Sequence, residues 1–288
     1  MEKRRIVQLV SALINNAYFK GFASLSIYQG QGKAVCVPVL NCYSCPGALG
    51  SCPVGAMQSL LASYKHRLSL YVIGLLTIVG AASGRLVCGW LCPFGLIQEL
   101  LNRFPSPKIP LPGVLKHLKY LVLLLTLLLP VVWLNAAGLG SPYFCKFLCP
   151  AGTLEAGLPL GLLTPQLQPL LGSLFYWKLA ILIIFIVLSV MIFRPFCRVL
   201  CPLGAFYALF NAFSLWRLEI APERCVSCGI CDNICPMEIA VTQNPNDREC
   251  IRCMRCIDQC PQKAIAFSRV IPLPALPERD LPAEECKS

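Results

Sequence analysis

Apolar residues run along this chain in long stretches separated by short polar and cysteine-bearing loops. Residues 6–27 are mostly apolar but contain Asn15, Asn16 and Lys20. Residues 68–84 form a shorter run, preceded by Lys65, His66 and Arg67 and closed by Arg85. Residues 118–134 are nearly all Leu and Val around Pro130, and residues 174–193 form the cleanest run, closed by Arg194. About 20 apolar residues carry a helix across a bilayer, so the pattern predicts four membrane-spanning helices. A surface-lying amphipathic helix is the competing reading of the first run. Pro130 is compatible with a membrane helix whose neighbours restore the lost hydrogen bond. The expected fold is thus mainly α, with residues 1–217 forming a four-helix transmembrane bundle that carries the loops between the runs. Residues 218–269 form a separate small domain, and residues 270–288, rich in Pro and Glu, a disordered tail.

Cysteine spacing defines the small domain. CVSCGICDNICP runs from Cys225 to Pro236 and CIRCMRCIDQCP from Cys250 to Pro261. Both read Cys-x2-Cys-x2-Cys-x3-Cys-Pro, the spacing that holds [4Fe–4S] clusters, in which the fourth cysteine reaches the other cluster. One set is therefore Cys225, Cys228, Cys231 and Cys260. The second is Cys250, Cys253, Cys256 and Cys235. A zinc ribbon uses pairs of cysteine pairs, not a duplicated triplet followed by Cys-Pro. The segment resembles dicluster ferredoxins, which implies an α+β domain.

A second repeat sits between the apolar runs. Cys-Pro-x-Gly occurs at Cys52, Cys92, Cys149 and Cys201, and the last three are preceded by another cysteine four positions earlier: Cys88, Cys145 and Cys197. Each copy opens an apolar, helix-compatible stretch: VGAMQSLL, FGLIQELL, AGTLEAGL and LGAFYALF. Proline suits the first helical turn. Cysteines four apart face the same way, so two such pairs make a four-thiolate set.

Composition agrees with a membrane protein. Hydrophobic residues make up 56% of the chain and charged residues only 14%, against about 25% charged in soluble domains. The 19 cysteines sit in metal-type spacings rather than in a secreted disulfide framework. The basic start MEKRR is followed by no small-residue cleavage site, so the first run is expected to be retained. The net charge of +11 arises from clusters flanking apolar runs, and no nucleic-acid motif accompanies it.

With the ferredoxin-like segment placed in the cytoplasm, four spans put the N-terminus there too. The cytoplasmic segments then hold Lys3, Arg4, Arg5, Arg85, Arg103, Lys108, Lys116, Lys119, Arg194, Arg198, Arg217 and Arg224. The opposite loops hold Lys33, Lys65, Arg67 and Lys146. This asymmetry follows the positive-inside rule. Cys88, Cys92, Cys197 and Cys201 then share the inner edge and form a third cluster set. Six cysteines gather on the outer edge. Cys145 and Cys149 are expected to join Cys45 and Cys52, each followed by proline, in a fourth set, with Cys36 and Cys42 as alternates. Cys286 in the tail reads as a free thiol. Haem is not expected, because His66 and His117 flank different spans.

Cys-x-x-x-Cys-Pro pairs after membrane helices, followed by two ferredoxin motifs, resemble polyferredoxin-like membrane proteins. These include the quinol-oxidising membrane subunit of periplasmic nitrate reductase systems, the membrane regulator of nitrous-oxide respiration and the oxidase-assembly ferredoxins. The resemblance implies electron transfer in a multi-pass protein of the inner membrane. Redox protein partners and the quinone pool are the candidates for exchanging electrons. Trp90, Phe94, Phe147 and Phe206 near the Cys-Pro turns are compatible with a quinone pocket. The competing reading is a reductase of metal ions or disulfides acting at Cys36 and Cys42.

Overall fold

The computed structural model of the chain describes residues 2–63, 70–135 and 139–269. His66, residues 68 and 69 of the second apolar run, and the expected disordered tail with Cys286 lie outside them. Helices α1 (Glu2–Asn15), α2 (Phe19–Ser24), α3 (Pro53–Leu61), α4 (Leu70–Ser83), α5 (Leu86–Trp90) and α6 (Pro93–Leu101) form the first half. Helices α7 (Leu115–Val132), α8 (Pro150–Gly152), α9 (Leu158–Leu163), α10 (Ser173–Met191), α11 (Pro195–Val199) and α12 (Pro202–Phe210) follow. The ferredoxin-like segment contains β1 (Trp216–Ile220), α13 (Ile230–Asn233), α14 (Arg255–Asp258) and β2 (Ile265–Arg269).

Helices α7 and α10 are long and apolar enough to cross a membrane, and α4 is apolar over 14 residues. Their large apolar side chains point outward: Ile78, Leu124 and Ile183 are each more than half exposed. Their buried faces mix small or polar residues such as Gly80, Thr126 and Ser189 with Leu76, Val122 and Phe185. The outward faces expose far more apolar surface than water tolerates.

The helices alternate in direction between two ends of the protein. At the ferredoxin end, Arg4 of α1 donates to Gly89 O at 3.1 Å, and Ser83 O at the close of α4 accepts from Arg252 at 2.8 Å. Lys119 of α7 pairs there with Glu249, and Asn102 Nδ2 donates to Ser189 O near the close of α10 at 3.1 Å. At the far end, Asn16 beyond α1 bonds Asn41 at 3.0 Å, and Tyr71 Oη at the start of α4 accepts from Cys36 N at 3.4 Å. Trp133 O beyond α7 accepts from Tyr143, and Lys178 of α10 donates to Cys145 O at 3.2 Å.

Two expectations change. The first run does not form one continuous helix. Asn15 and Asn16 turn their side-chain amides back onto Ser11 O (2.7 Å) and Ala12 O (3.0 Å), and the chain breaks before α2. The long helices also do not simply pack on one another as a four-helix bundle. They surround the short helices opened by the Cys-Pro turns: α7 packs on α12, α11 and α3, α10 on α6, and α4 on α12 and α3. One continuous hydrophobic core therefore holds cysteines from both ends, including Cys52 and Cys149 as well as Cys92 and Cys201.

In the ferredoxin-like segment, β1 and β2 pair antiparallel, with Leu218 opposite Phe267. Asn246 clamps Leu218 through both its N–H (3.0 Å) and its carbonyl (2.8 Å). The two cysteine motifs have the same backbone. The third residue of each has positive φ (Ser227, 53°; Arg252, 52°), as does the fifth (Gly229, 73°; Met254, 64°). The third residue after each Cys-Pro cysteine repeats this (Glu238, 56°; Lys263, 48°). Left-handed residues are uncommon outside glycine, so six matched positions reflect one motif used twice.

Candidate metal centres

The doubled motif encloses two cavities. One is lined by Cys225, Cys228, Cys231 and Cys260, the other by Cys235, Cys250, Cys253 and Cys256. These are the two sets expected from the exchanged fourth cysteine. Alternating left-handed residues within each motif are the backbone conformation of the nests that hold anions and Fe–S centres. Ala264 N donates to Cys260 Sγ at 3.3 Å. Among the described residues, no three His, Cys, Asp or Glu side chains converge tightly enough for a single metal ion. Four thiolates on one zinc would lie within about 4 Å of each other. Four thiolates in the Cys-x2-Cys-x2-Cys and Cys-Pro arrangement around each cavity are the donor chemistry of a [4Fe–4S] cluster.

Cys88, Cys92, Cys197 and Cys201 form a third buried group. Pro93 and Pro202 open α6 and α12 at their first turns, which leaves Cys92 and Cys201 as extended N-cap residues. Gly204 N donates to Cys201 Sγ at 3.3 Å and Gln98 Nε2 to Cys197 Sγ at 3.2 Å. Burial and the neighbouring Cys197 and Cys88 push the Cys92 thiol up to about 12. Burial also raises Cys88, against the opposing charges of Arg85 and Arg194.

This group touches the ferredoxin-like segment through backbone. A Cβ on Gly89 would lie 2.1 Å from Ile251 O, and Trp90 Nε1 donates to Arg252 O at 2.9 Å. Gly89 and Trp90 lie between Cys88 and Cys92, and Ile251 and Arg252 between Cys250 and Cys253. Buried Arg85 spans the junction, donating to Cys197 O (3.2 Å), Arg248 O (2.9 Å) and Glu249 (3.0 Å). Arg198 pairs with Glu238 at 2.8 Å. Arg194 and Arg4 both pair with Glu99, at 2.7 and 2.6 Å. Several cations expected merely to flank the membrane are thus buried with carboxylates at this junction.

At the far end, Cys36, Cys42, Cys52, Cys145 and Cys149 line a cavity of ≈ 950 Å³. Cys45, expected as a member, is turned away: its thiol lies 3.4 Å from Asn16 Oδ1. The Cys45–Pro46 turn serves another purpose, because Pro46 O packs where a Cβ on Gly21 would fall, 2.0 Å away. Cys42, expected as an alternate, lies in this cavity with Cys52, Cys145 and Cys149. A Cβ on Gly152 would contact both Cys42 Sγ (3.4 Å) and Cys149 Sγ (4.0 Å), and one on Gly55 would lie 3.8 Å from Cys145 Sγ. The glycines of the Cys-Pro-x-Gly turns therefore keep this space open. Cys36 donates from its thiol to Ser51 O at 3.5 Å.

The Cys-Pro repeat has one further position in common. The sixth residue after each Cys-Pro cysteine is polar within an otherwise apolar helix: Gln58, Gln98, Glu155 and Tyr207. All four point into the cysteine-bearing core. Gln58 accepts from Phe144 N at 3.0 Å and donates to Cys145 Sγ at 3.6 Å. Gln98 accepts from Phe196 N at 3.2 Å. Glu155, lifted by burial to about 7, accepts from Cys42 N at 2.6 Å. Tyr207 donates to Pro38 O at 2.9 Å. Aligning the four Cys-Pro turns would have revealed the position.

The expected quinone aromatics do not converge. Phe94 packs edge-on against Phe196 at 5.1 Å, Phe206 lies against Phe210 at 5.4 Å, and Phe147 stacks on Tyr143 at 6.1 Å. Trp90 is committed to the junction. His117 lies beside Tyr120.

These centres place the chain among iron–sulfur proteins of the ferredoxin type. A 4Fe–4S binding domain family matches residues 68–112, 120–158 and 174–220, and each matched stretch is one long helix with the Cys-Pro turn that follows it. The chain is 35% identical over 209 residues to an uncharacterised protein of Methanocaldococcus jannaschii, covering 69% of this chain and 77% of that one. It is 26% identical to the ferredoxin-type protein NapH of Haemophilus influenzae, over 92% of this chain and 88% of NapH. It is 29% identical to the regulatory protein NosR of Stutzerimonas stutzeri, spanning 69% of this chain but 28% of NosR. No solved structure matches. The chain belongs to this family of polyferredoxin-like 4Fe–4S membrane proteins.

Proposed function

We propose that the chain is a multi-pass, inner-membrane electron relay with four [4Fe–4S] sites and its ferredoxin domain in the cytoplasm. Cys225, Cys228, Cys231 and Cys260 hold the first, and Cys250, Cys253, Cys256 and Cys235 the second. Cys88, Cys92, Cys197 and Cys201 hold the third, and Cys42, Cys52, Cys145 and Cys149 the fourth. Such clusters supply one-electron storage with little rearrangement. The protein supplies order and proximity. The observation that carries this reading is the backbone contact of Gly89 with Ile251, each one residue from a cysteine of its own group. The shared core favours the continuation, because both membrane-domain groups lie within it rather than on opposite surfaces.

Redox protein partners exchange electrons at the exposed ferredoxin end, where Cys228 faces solvent. At the far end the cavity beside Cys145 is lined by Leu160, Phe175 and Tyr71 together with Lys33 and Lys178. An apolar pocket with a few polar groups suits a quinone. Reductase chemistry at Cys36 and Cys42 is less favoured, because the two thiols have different partners, Ser51 O for Cys36 and the Cys149 group for Cys42.

Iron and acid-labile sulfide in anaerobically purified protein test the reading. Four cubanes require about 16 irons per chain. About 8 irons, unaffected by Cys88→Ser, would reduce the protein to its ferredoxin domain.

A further inference from the structure

Gln58 and Gln98 occupy equivalent places in two separate sites. Each is the sixth residue after a Cys-Pro cysteine, and each is fully buried, at 0% and 2% exposure. Each reaches the Cys-x-x-x-Cys-Pro loop that completes its group from elsewhere in the chain. The two loops read FCKFLCP and FCRVLCP. In both, the glutamine oxygen accepts the backbone N–H of the phenylalanine, Phe144 or Phe196. In both, its nitrogen faces the sulfur of the next residue, Cys145 at 3.6 Å or Cys197 at 3.2 Å. The amide orientation is fixed by this arrangement, because the phenylalanine N–H requires an acceptor. The donor is thereby aimed at sulfur.

A buried amide in an apolar helix carries a desolvation cost unless both ends are satisfied. Here the second partner is a thiol, a weak acceptor. As a thiolate the same sulfur is anionic, and hydrogen bonds to charged acceptors are roughly twice as strong. The arrangement is therefore matched to a ligated, negatively charged sulfur. Hydrogen bonds to cluster sulfurs are one of the ways a protein sets reduction potential.

We propose that Gln58 and Gln98 are paired positioning residues. Each fixes the incoming Phe-Cys turn and donates to its cysteine sulfur, which raises the reduction potential of the cluster held there. The inference rests on the reading that Cys42, Cys52, Cys145 and Cys149, and Cys88, Cys92, Cys197 and Cys201, each hold a cluster. The donor stabilises the more negative, reduced state more than the oxidised state. Gln98 acts on the group at the ferredoxin end and Gln58 on the group at the far end, each without effect on the other.

The test is an EPR-monitored redox titration of the full-length protein in detergent, with iron counted in the same samples. Gln98→Leu removes donor and acceptor. Gln98→Met keeps the side chain's length and neutrality while removing the amide donor, so it covers the case in which the leucine variant fails to fold. Gln58→Leu and Gln58→Met are the partners at the far end. The expected result is unchanged iron and a more negative midpoint for the altered group alone. At a fixed poise its reduced-to-oxidised ratio falls about tenfold, the order of one charge-assisted hydrogen bond. Unchanged potentials with unchanged iron would overturn the proposal, as would equal shifts in both groups. Failure of the underlying reading looks different: Cys88→Ser or Cys52→Ser would then leave iron content and spectra as in the unaltered protein.

Discussion

Gly89 and Ile251 meet so closely that the first has no room for a side chain: a Cβ there would lie 2.1 Å from the Ile251 carbonyl oxygen. The contact joins the turn between Cys88 and Cys92 to the turn between Cys250 and Cys253. Backbone cannot yield as a flexible side chain does, so Gly89→Ala is expected to force the two turns apart. Ferredoxin-domain clusters should remain reducible, while magnetic coupling to the neighbouring group weakens in the EPR spectrum. Gly74→Ala, where nothing lies within 4 Å of the added atom, should leave the coupling intact.

Membership of the far-end group gives a direct contrast between two nearby cysteines. Cys42→Ser should remove one cluster, about 4 irons per chain, because its sulfur lies against the Gly152 turn with Cys149. Cys45→Ser should retain full iron and lose only the contact with Asn16. Iron analysis of the two variants decides the assignment, and equal iron loss in both would contradict it.

Arg85 is fully buried and donates to three groups on two chain segments at the junction. Lysine preserves its charge but not its planar fork. Arg85→Lys is expected to destabilise the junction by about 1–3 kcal/mol through unsatisfied partners. Limited proteolysis beside exposed Phe213, between α12 and β1, should then release the ferredoxin domain faster.

Glu99 ties α1 to the start of α11 through Arg4 and Arg194. Burial alone would raise its carboxyl, but the two guanidinium groups overcome this and hold it below the ordinary value of 4.5. A depressed carboxylate contributes stability that is fully present above the unfolded value and is lost as pH falls through the folded one. Thermal stability in detergent should therefore be insensitive to this group from pH 5 to 8 and decline in stronger acid. Glu99→Gln leaves two buried cations without their carboxylate. It should destabilise by about 3–5 kcal/mol and abolish this group's contribution to the acid transition.

The sequence makes the cysteine sets legible wherever their spacing is local. The two ferredoxin motifs show which cysteines line each cavity because every ligand lies within a short, repeated run. The pairing of Cys88 and Cys92 with Cys197 and Cys201 followed from loop parity alone. The far-end group was less accessible, because proline after cysteine has two uses. At Cys52 it opens a helix, whereas at Cys45 it shapes the turn that receives Gly21. The central position of the short Cys-Pro helices was not legible either. Nine-residue apolar stretches such as α6 carry no sign of whether they meet lipid or core. The pairs that Glu99, Glu238 and Glu249 form with buried cations were hidden for a similar reason. A carboxylate reads as surface until its cation, more than 35 residues away in each case, is placed beside it.

The relay itself is tested most directly by breaking its middle. In the Cys88→Ser, Cys201→Ser double variant, a low-potential donor acting at the ferredoxin end is followed by rapid-freeze EPR. The account predicts that the ferredoxin clusters are reduced as in the unaltered protein, while reduction of the far-end group slows by at least about tenfold. Equal rates of far-end reduction in the two proteins would contradict it.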